Sequence, residues 1–190
     1  KDWNNLVLTK AFLDLLGEDP DDVRHVLNRL PENPAEDILP EGSAGYPKYL
    51  NKYPGKTGDN PQDNDICIIR LSEVYLNAAE AALMTGESAI PAARTYLLTL
   101  IKQRYKAAAY TEKETAINAM GRDELLQEIY DERTRELAFE GHRWFDLRRT
   151  TRPRLEKTYS GTTYVLEEND SRYTIRIPSE AIEANPGLAN

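Results

Sequence analysis

The hydrophobic positions after residue 66 recur every three or four residues, which is the spacing of one face of an α-helix. They form two stripes separated by Gly86, a residue type that commonly ends helices. The second helix is predicted from near Ser88 to about Tyr105, with Pro91 in its first turn, where a missing N–H costs little. The stripes comprise Leu71, Val74, Tyr75, Ala78, Ala81 and Ala82, then Ile90, Ala93, Leu97, Leu100, Ile101 and Tyr105. Two alanine-rich helices joined by a short turn predict an αα-hairpin with the length of one tetratricopeptide-like unit.

The helical pattern continues to about residue 149. Thr111 and Glu114 fit a capping box that opens a helix over residues 112–119. Residues 122–149 predict one long helix, which Gly141 is expected to bend. Its inner face is predicted to contain Leu126, Ile129, Arg133, Leu137, Glu140, Trp144 and Leu147. From these stripes we expect Leu97, Leu126, Leu137 and Trp144 to be buried.

Both ends of the chain differ from this helical core, which spans residues 66–150. An amphipathic helix is predicted within the first 20 residues, ending at Gly17. Residues 159–190 contain two short runs typical of strands, at 164–166 and 173–177, and then a turn-rich tail. The sequence thus predicts a mainly α protein of tetratricopeptide-like helical hairpins, with long irregular loops and a small β-hairpin near the C-terminus.

Residues 18–65 form an irregular loop segment that contains seven prolines and four glycines. Segments of this kind in compact domains are usually functional or disordered, and the tyrosines in this one argue against disorder. Aromatic faces can bind sugar rings, while amide and ammonium groups can bond hydroxyls. The predicted ligand-binding residues are Tyr46, Tyr49, Asn51, Lys52 and Tyr53. The alternative is that these tyrosines only attach the loop to the helices.

Charge and composition exclude several classes of function. The net charge of −8 disfavours binding to nucleic acids or anionic lipid surfaces, which requires a basic face. The single cysteine, Cys67, lies in an apolar run and cannot form an intrachain disulfide. No apolar stretch approaches the length of a membrane-spanning helix.

Charged residues at helical spacing admit two interpretations. Arg133, Glu136 and Glu140 follow one helix face, and the pattern Glu73, Asn77 and Glu80 follows another. Paired carboxylates of this kind can perform acid–base chemistry, as in glycosidases. Because leucine, alanine and tryptophan flank them, we favour a buried arginine–glutamate network, in which Arg133 or Arg143 pairs with one of these carboxylates.

No metal or catalytic motif is complete. His142 and Asp146 have a spacing that can hold a metal, with Glu140 as a third ligand, but the second histidine of a zinc protease motif is absent. Trp144 and Phe145 are interpreted as core residues, with stacking on a sugar as the alternative. We therefore predict no enzyme activity, no metal and no cofactor.

Three segments together resemble the SusD/RagB family. They are IRLSEVYLNAAEA at 69–81, ERTRELAFEGHRWFDLRR at 132–149 and IPSEAIEANP at 177–186. They occur in the order found in the family, and the resemblance covers about residues 20–190. The chain is thereby identified as the C-terminal portion of a SusD-like domain, spanning residues 1–190.

The resemblance implies a function as well as a fold. SusD-like proteins are non-catalytic lipoproteins on the outer face of the outer membrane, and they deliver glycans or, in some members, peptides to a TonB-dependent, SusC-like transporter. The lipid-bearing N-terminal cysteine is expected upstream of this sequence, since Cys67 is internal. The alternatives are a tetratricopeptide-like scaffold that binds only a protein partner and, as a third reading, a glycoside hydrolase.

Overall fold

The computed structural model describes residues 10–16, 21–24, 68–159 and 161–188. Within them the chain is mainly helical, as predicted, with one small antiparallel sheet. The helices are α1 (Lys10–Leu16), α2 (Leu71–Thr85), α3 (Ile90–Ile101), α4 (Ala107–Ala119), α5 (Arg122–Glu136), α6 (His142–Arg149) and α7 (Ser179–Ala184). The strands are β1 (Leu155–Tyr159) and β2 (Thr162–Leu166). The chain divides into two compact units, Lys1–Glu136 and Leu137–Asn190. Among the described helices, none is long and apolar enough to cross a membrane.

The predicted αα-hairpin is present in the first unit. Helix α2 ends at Gly86, whose φ of 126° is one that L side chains rarely adopt. Pro91 occupies the first turn of α3. Helix α2 packs against α3 and α5, and α3 also contacts α4. The predicted inner face of α3 is confirmed, since its buried residues are Ala93, Leu97, Leu100 and Ile101, followed by Tyr105.

The predicted inner face of α2 is wrong. Its buried residues are Ser72, Leu76, Ala79, Glu80 and Leu83. In contrast, Leu71 and Val74 are 68% and 49% exposed. Apolar residues occur on both sides of this helix, and the small alanines do not make one side clearly more hydrophobic than the other. Periodicity alone therefore predicted the wrong face of the helix to be buried. The buried Glu80 is tolerated because its carboxylate accepts a hydrogen bond from the Tyr130 hydroxyl at 3.3 Å.

Helix α4 begins five residues earlier than predicted, at Ala107. The proposed capping box is absent, because the Thr111 hydroxyl lies within the helix and donates to the carbonyl of Ala107 at 3.0 Å. Glu114 instead accepts from the Tyr110 hydroxyl, four residues before it. A threonine can bond either a helix N-terminus or the preceding turn, and here the second geometry prevails.

The predicted long helix over 122–149 is two helices. A turn at residues 137–141 separates α5 from α6, and it contains the left-handed residues Phe139 (φ 65°) and Gly141 (φ 85°). In α5 the buried apolar residues are Leu125 and Ile129, whereas Leu126 is partly exposed. Thus two of the four expected core residues, Leu97 and Leu137, are buried, while Leu126 and Trp144 are only partly so.

The second unit contains the predicted hairpin with a different pairing. Strand β2 includes residues 164–166 as expected, but it pairs with β1, in the register Leu155 with Leu166. Residues 173–177 are not a strand, because a 3₁₀ turn forms at Ser171–Tyr173. The Asp170 side chain accepts the Arg172 backbone N–H at 2.8 Å, which favours this turn over an extended chain.

Tyr173 forms the centre of the second unit. It is fully buried, and its ring stacks on Trp144 with centroids 5.2 Å apart. Its hydroxyl donates to the backbone carbonyl of Pro153, so the polar end of the buried ring is satisfied. The tail contains the short helix α7 and a 3₁₀ turn at Pro186–Leu188.

Two adjacent leucines in α5 allow a test of which face of the helix is buried. Leu125→Ala is expected to lower the free energy of unfolding by about 2–5 kcal/mol, because Leu125 is fully buried. The matched variant Leu126→Ala removes the same atoms from a partly exposed site and should cost clearly less. Urea unfolding of both variants measures the difference. A larger loss for Leu126→Ala would show that the helix faces the other way.

Candidate functional site

The predicted ligand-binding residues Tyr46, Tyr49, Asn51, Lys52 and Tyr53 lie outside the described residues, as do Cys67 and His25. Within the described part of the chain, the most concentrated polar chemistry is a cluster of buried charges in the first unit. We call this the charged cluster. It consists of Asp22, Arg24, Arg70, Arg104, Glu128, Glu132, Arg135 and Glu136.

A short backbone pairing positions the first members of the charged cluster. Residues 21–24 run antiparallel to residues 104–106, which follow α3, with a bridge between Asp22 and Tyr105. The Val23 N–H donates to the Arg104 carbonyl at 2.8 Å, and the Lys106 N–H donates to the Asp21 carbonyl at 2.9 Å. This pairing holds the Arg24 side chain in the interior of the first unit, where only 7% of it is exposed.

Arg24 is surrounded by partners. Its Nε and Nη2 donate to the Asp22 carboxylate at 2.8–3.2 Å, and its Nη1 donates to Glu132 Oε1 at 2.7 Å. The guanidinium also lies 5.7 Å from the ring centroid of Tyr105. Burial alone would lower the pKa of Arg24, but the charges of Glu132 and Asp22 outweigh it and raise that pKa. Arg24 is therefore a permanent cation inside the first unit.

Glu136, at the end of α5, accepts hydrogen bonds from two arginines and lies near a third. Arg104 donates through Nε at 2.7 Å and Nη2 at 2.8 Å, and Arg70 donates through Nη1 at 2.8 Å. Arg70 also bonds the backbone carbonyl of Glu136, and Arg24 Nη1 lies 3.6 Å from its carboxylate. Burial alone would raise the pKa of Glu136, but Arg104, Arg70 and Arg24 together lower it to about 2.

One further arginine completes the charged cluster along α5. Arg135 Nε donates to Glu132 Oε2 at 2.8 Å, and its Nη2 pairs with Glu128. The cluster then holds four arginines and four carboxylates. The balance explains how so many charges can be buried together, because each one faces an opposite charge at hydrogen-bond distance.

The charged cluster is suited to holding helices together rather than to acid–base catalysis. A general acid must carry a proton near neutral pH, and the arginines keep Glu136 ionised. Glu132 is fully buried and shared between Arg24 and Arg135. This arrangement favours the structural interpretation of the inward-facing charges over the glycosidase interpretation.

Sequence reasoning found only part of this cluster. Glu136 was identified, whereas Asp22, Arg24, Arg70 and Arg104, which lie outside regular helices, were missed, as were Glu128, Glu132 and Arg135 on α5. Their signal in the sequence is weak, because Arg24 and Glu132 are 108 residues apart. Arg133, predicted to pair with a carboxylate, donates from Nη1 to the side-chain oxygen of Asn77 at 2.6 Å. An ion pair of Arg133 or Arg143 with one of the four predicted carboxylates stays a prediction.

The other candidate sites have structural explanations. Asp146 pairs with Arg149 in the next turn of α6, at 2.9 Å. Among the described residues, no group of three or more histidine, cysteine, aspartate and glutamate side chains is placed to hold a metal. Trp144 stacks on Tyr173, whereas Phe145, expected in the core, is 61% exposed.

Comparison with known proteins identifies a family. The family model of the SusD family matches residues 37–190, which is most of the chain. This family is known for binding nutrients and glycans and is generally associated with the outer membrane. A search of curated proteins found no match. The matched range includes α2 to α7 and all five candidate ligand-binding residues.

Removing a carboxylate from the charged cluster should destabilise the fold. Glu132→Gln leaves Arg24 and Arg135 short of countercharge in the interior, and breaking a buried pair in this way costs about 3–5 kcal/mol. The control Glu156→Gln removes a carboxylate whose partner, Arg154, is half exposed, and it should change stability little. Chemical denaturation measures both. Similar losses in the two variants would contradict the assignment.

The lowered pKa of Glu136 predicts a dependence of stability on pH. Below its ordinary value of 4.5, the unfolded chain takes up a proton that the folded protein resists until about pH 2. The contribution of Glu136 is therefore complete above about pH 4.5 and is lost as the pH falls toward 2. Urea unfolding between about pH 5.5 and about pH 3 should show the gap between the parent and Glu136→Gln narrowing. The exposed control Glu112→Gln should have close to the stability of the parent, and a constant gap for Glu136→Gln would contradict the prediction.

Proposed function

Since the chain belongs to the SusD family, we propose that it binds a glycan or another nutrient oligomer without chemically altering it. The observation that carries this proposal is the family match over residues 37–190, in a family known for nutrient and glycan binding. The partner that receives the ligand is a SusC-like, TonB-dependent transporter. The place of action is the outer face of the outer membrane, with attachment through a lipid on the N-terminal side.

The chemistry of the charged cluster supports a role without catalysis. Its carboxylates face arginines at hydrogen-bond distance, and Glu136 stays ionised down to about pH 2. Glycoside hydrolysis needs one carboxyl that donates a proton and one that acts as base or nucleophile in an open cleft. Incubating the pure protein with an oligosaccharide panel and measuring product tests this point. Measurable turnover would favour the hydrolase alternative.

A tetratricopeptide-like scaffold is the second candidate. The observation in its favour is the α2–α3 hairpin, whose first helix exposes Leu71 and Val74. Such a scaffold would bind a protein partner and no oligosaccharide. A glycan array, combined with affinity capture of the transporter, distinguishes the two candidate functions. A glycan-binding protein gives a specific signal on the array, whereas a pure scaffold captures the transporter alone.

The ligand site is proposed to lie in residues 41–58, where Tyr46, Tyr49 and Tyr53 supply aromatic faces and Asn51 and Lys52 supply polar groups. Glycines at positions 42, 45 and 55 give the backbone the conformational freedom to present these side chains to a ligand. In the helical region, Leu97, Leu100 and Ile101 of α3 and Leu125 and Ile129 of α5 are buried in the core. Stacking on a neutral sugar releases no counterions, so binding should depend little on salt.

Replacing Tyr46, Tyr49 and Tyr53 together by alanine should abolish binding of the oligosaccharide identified on the array. The melting temperature should stay close to that of the parent, because loop residues contribute little to the core. The control replaces two exposed tyrosines elsewhere, Tyr96 and Tyr164, and should bind normally. Isothermal titration calorimetry at low and high salt measures both proteins. Parent-like affinity in the triple variant would show that the tyrosines do not form the site.

A further inference from the structure

The two ends of the segment between Arg24 and Arg70 meet at one residue. Arg24, at the start of this segment, places Nη1 3.6 Å from the Glu136 carboxylate. Arg70, at its end, donates to the same carboxylate at 2.8 Å and to the Glu136 backbone carbonyl at 2.7 Å. Two arginines 46 residues apart in the sequence therefore form ion pairs with the same buried carboxylate on α5.

Glu136 is also connected to the start of the segment through Arg104. The Arg104 guanidinium is fixed by two hydrogen bonds to Glu136, and its backbone carbonyl accepts the Val23 N–H. The same residue thus binds Glu136 with its side chain and residues 21–24 with its backbone. Loss of the Glu136 charge would remove the constraint on the Arg104 side chain and weaken the pairing beside it.

At the other end, the Arg70 carbonyl begins helix α2. It accepts the N–H groups of Glu73 and Val74, at 3.0 and 3.3 Å. Arg70 is held by the Glu136 side chain and backbone, so the first turn of α2 is tied to the end of α5. The entropic cost of closing a loop grows only slowly with its length, so a few charged hydrogen bonds are enough to hold both ends of a long segment.

We propose that Glu136 is a positioning residue that couples the two ends of the segment between Arg24 and Arg70. When Glu136 loses its charge, both ends loosen together although they are far apart in the sequence.

Native-state hydrogen exchange tests the coupling without a ligand. In Glu136→Gln, exchange should accelerate at least about tenfold at the Val23 and Lys106 amides and also at the Glu73 and Val74 amides, because charge-assisted hydrogen bonds are lost. Amides in the middle of α3, such as that of Leu97, should keep their parent rates relative to global unfolding. The matched control is Glu128→Gln, which makes the same chemical change on the same helix but breaks a pair with Arg135. Relative to global unfolding, the control should leave the exchange rates at both ends unchanged.

A second variant keeps the test valid if Glu136→Gln does not fold. Arg70→Lys retains the positive charge but cannot bond the Glu136 side chain and carbonyl with two separate nitrogens of one planar group. A smaller acceleration is expected at the same amides on both ends. Acceleration at only one end, or equally throughout α3 and α5, would overturn the coupling.

Discussion

The stability of the first unit depends on giving every charged side chain of the charged cluster an oppositely charged partner. An isolated buried charge costs far more than the few kcal/mol by which folded proteins are stable. Glu132 and Glu136 are therefore compatible with the core only when the arginines are in place. Two of these arginines, Arg24 and Arg70, come from chain segments outside the helices. The requirement for charge balance thus fixes where those segments meet α5, more narrowly than apolar contacts would.

Apolar packing supplies the frame in which this balance is possible. Small residues such as Ala79 and Ala93 lie fully buried in α2 and α3, the paired helices of the αα-hairpin, and leucines fill the space around them. Helix α5 joins this hairpin with Leu125 and Ile129 on one part of its surface and with Glu132 and Glu136 farther along. One helix therefore belongs to the apolar core at its start and to the charged cluster at its end. The second unit uses a different device, in which Tyr173 and Trp144 stack and the tyrosine hydroxyl is satisfied by a backbone carbonyl.

For most described elements, the sequence predicted whether a helix or strand forms better than it predicted which face of a helix is buried. The predicted face of α3 was correct because Ala93, Leu97, Leu100 and Ile101 follow helical spacing and are all buried. That of α2 was wrong because Leu71 and Val74 form a second row that the fold leaves exposed. The strand predicted at 173–177 does not form, because the Asp170 side chain stabilises a turn that competes with the extended conformation. Periodicity reports which residues repeat, and it does not report which of two possible faces finds a partner.

Half of the charged cluster, Asp22, Arg24, Arg70 and Arg104, lies far from α5 in the sequence and follows no period. The other half, Glu128, Glu132, Arg135 and Glu136, follows helical spacing on α5, but spacing alone does not show that these charges are inside the fold. Glu136 could be singled out only because it lies on a helix with a readable pattern. Its partner Arg70 belongs to a family-like segment, but a pairing across 66 residues leaves no mark in either local pattern. The family was easier to recognise than this geometry, since the ordered motifs at 69–81, 132–149 and 177–186 together resemble the SusD family and the family model matches residues 37–190. The central one of these motifs contains both Glu132 and Glu136, so the segment that identifies the family also supplies carboxylates with which Arg24 and Arg70 pair. A motif of this kind can characterise a family through its structural role, because its buried charges are tolerated only when distant parts of the chain supply their partners.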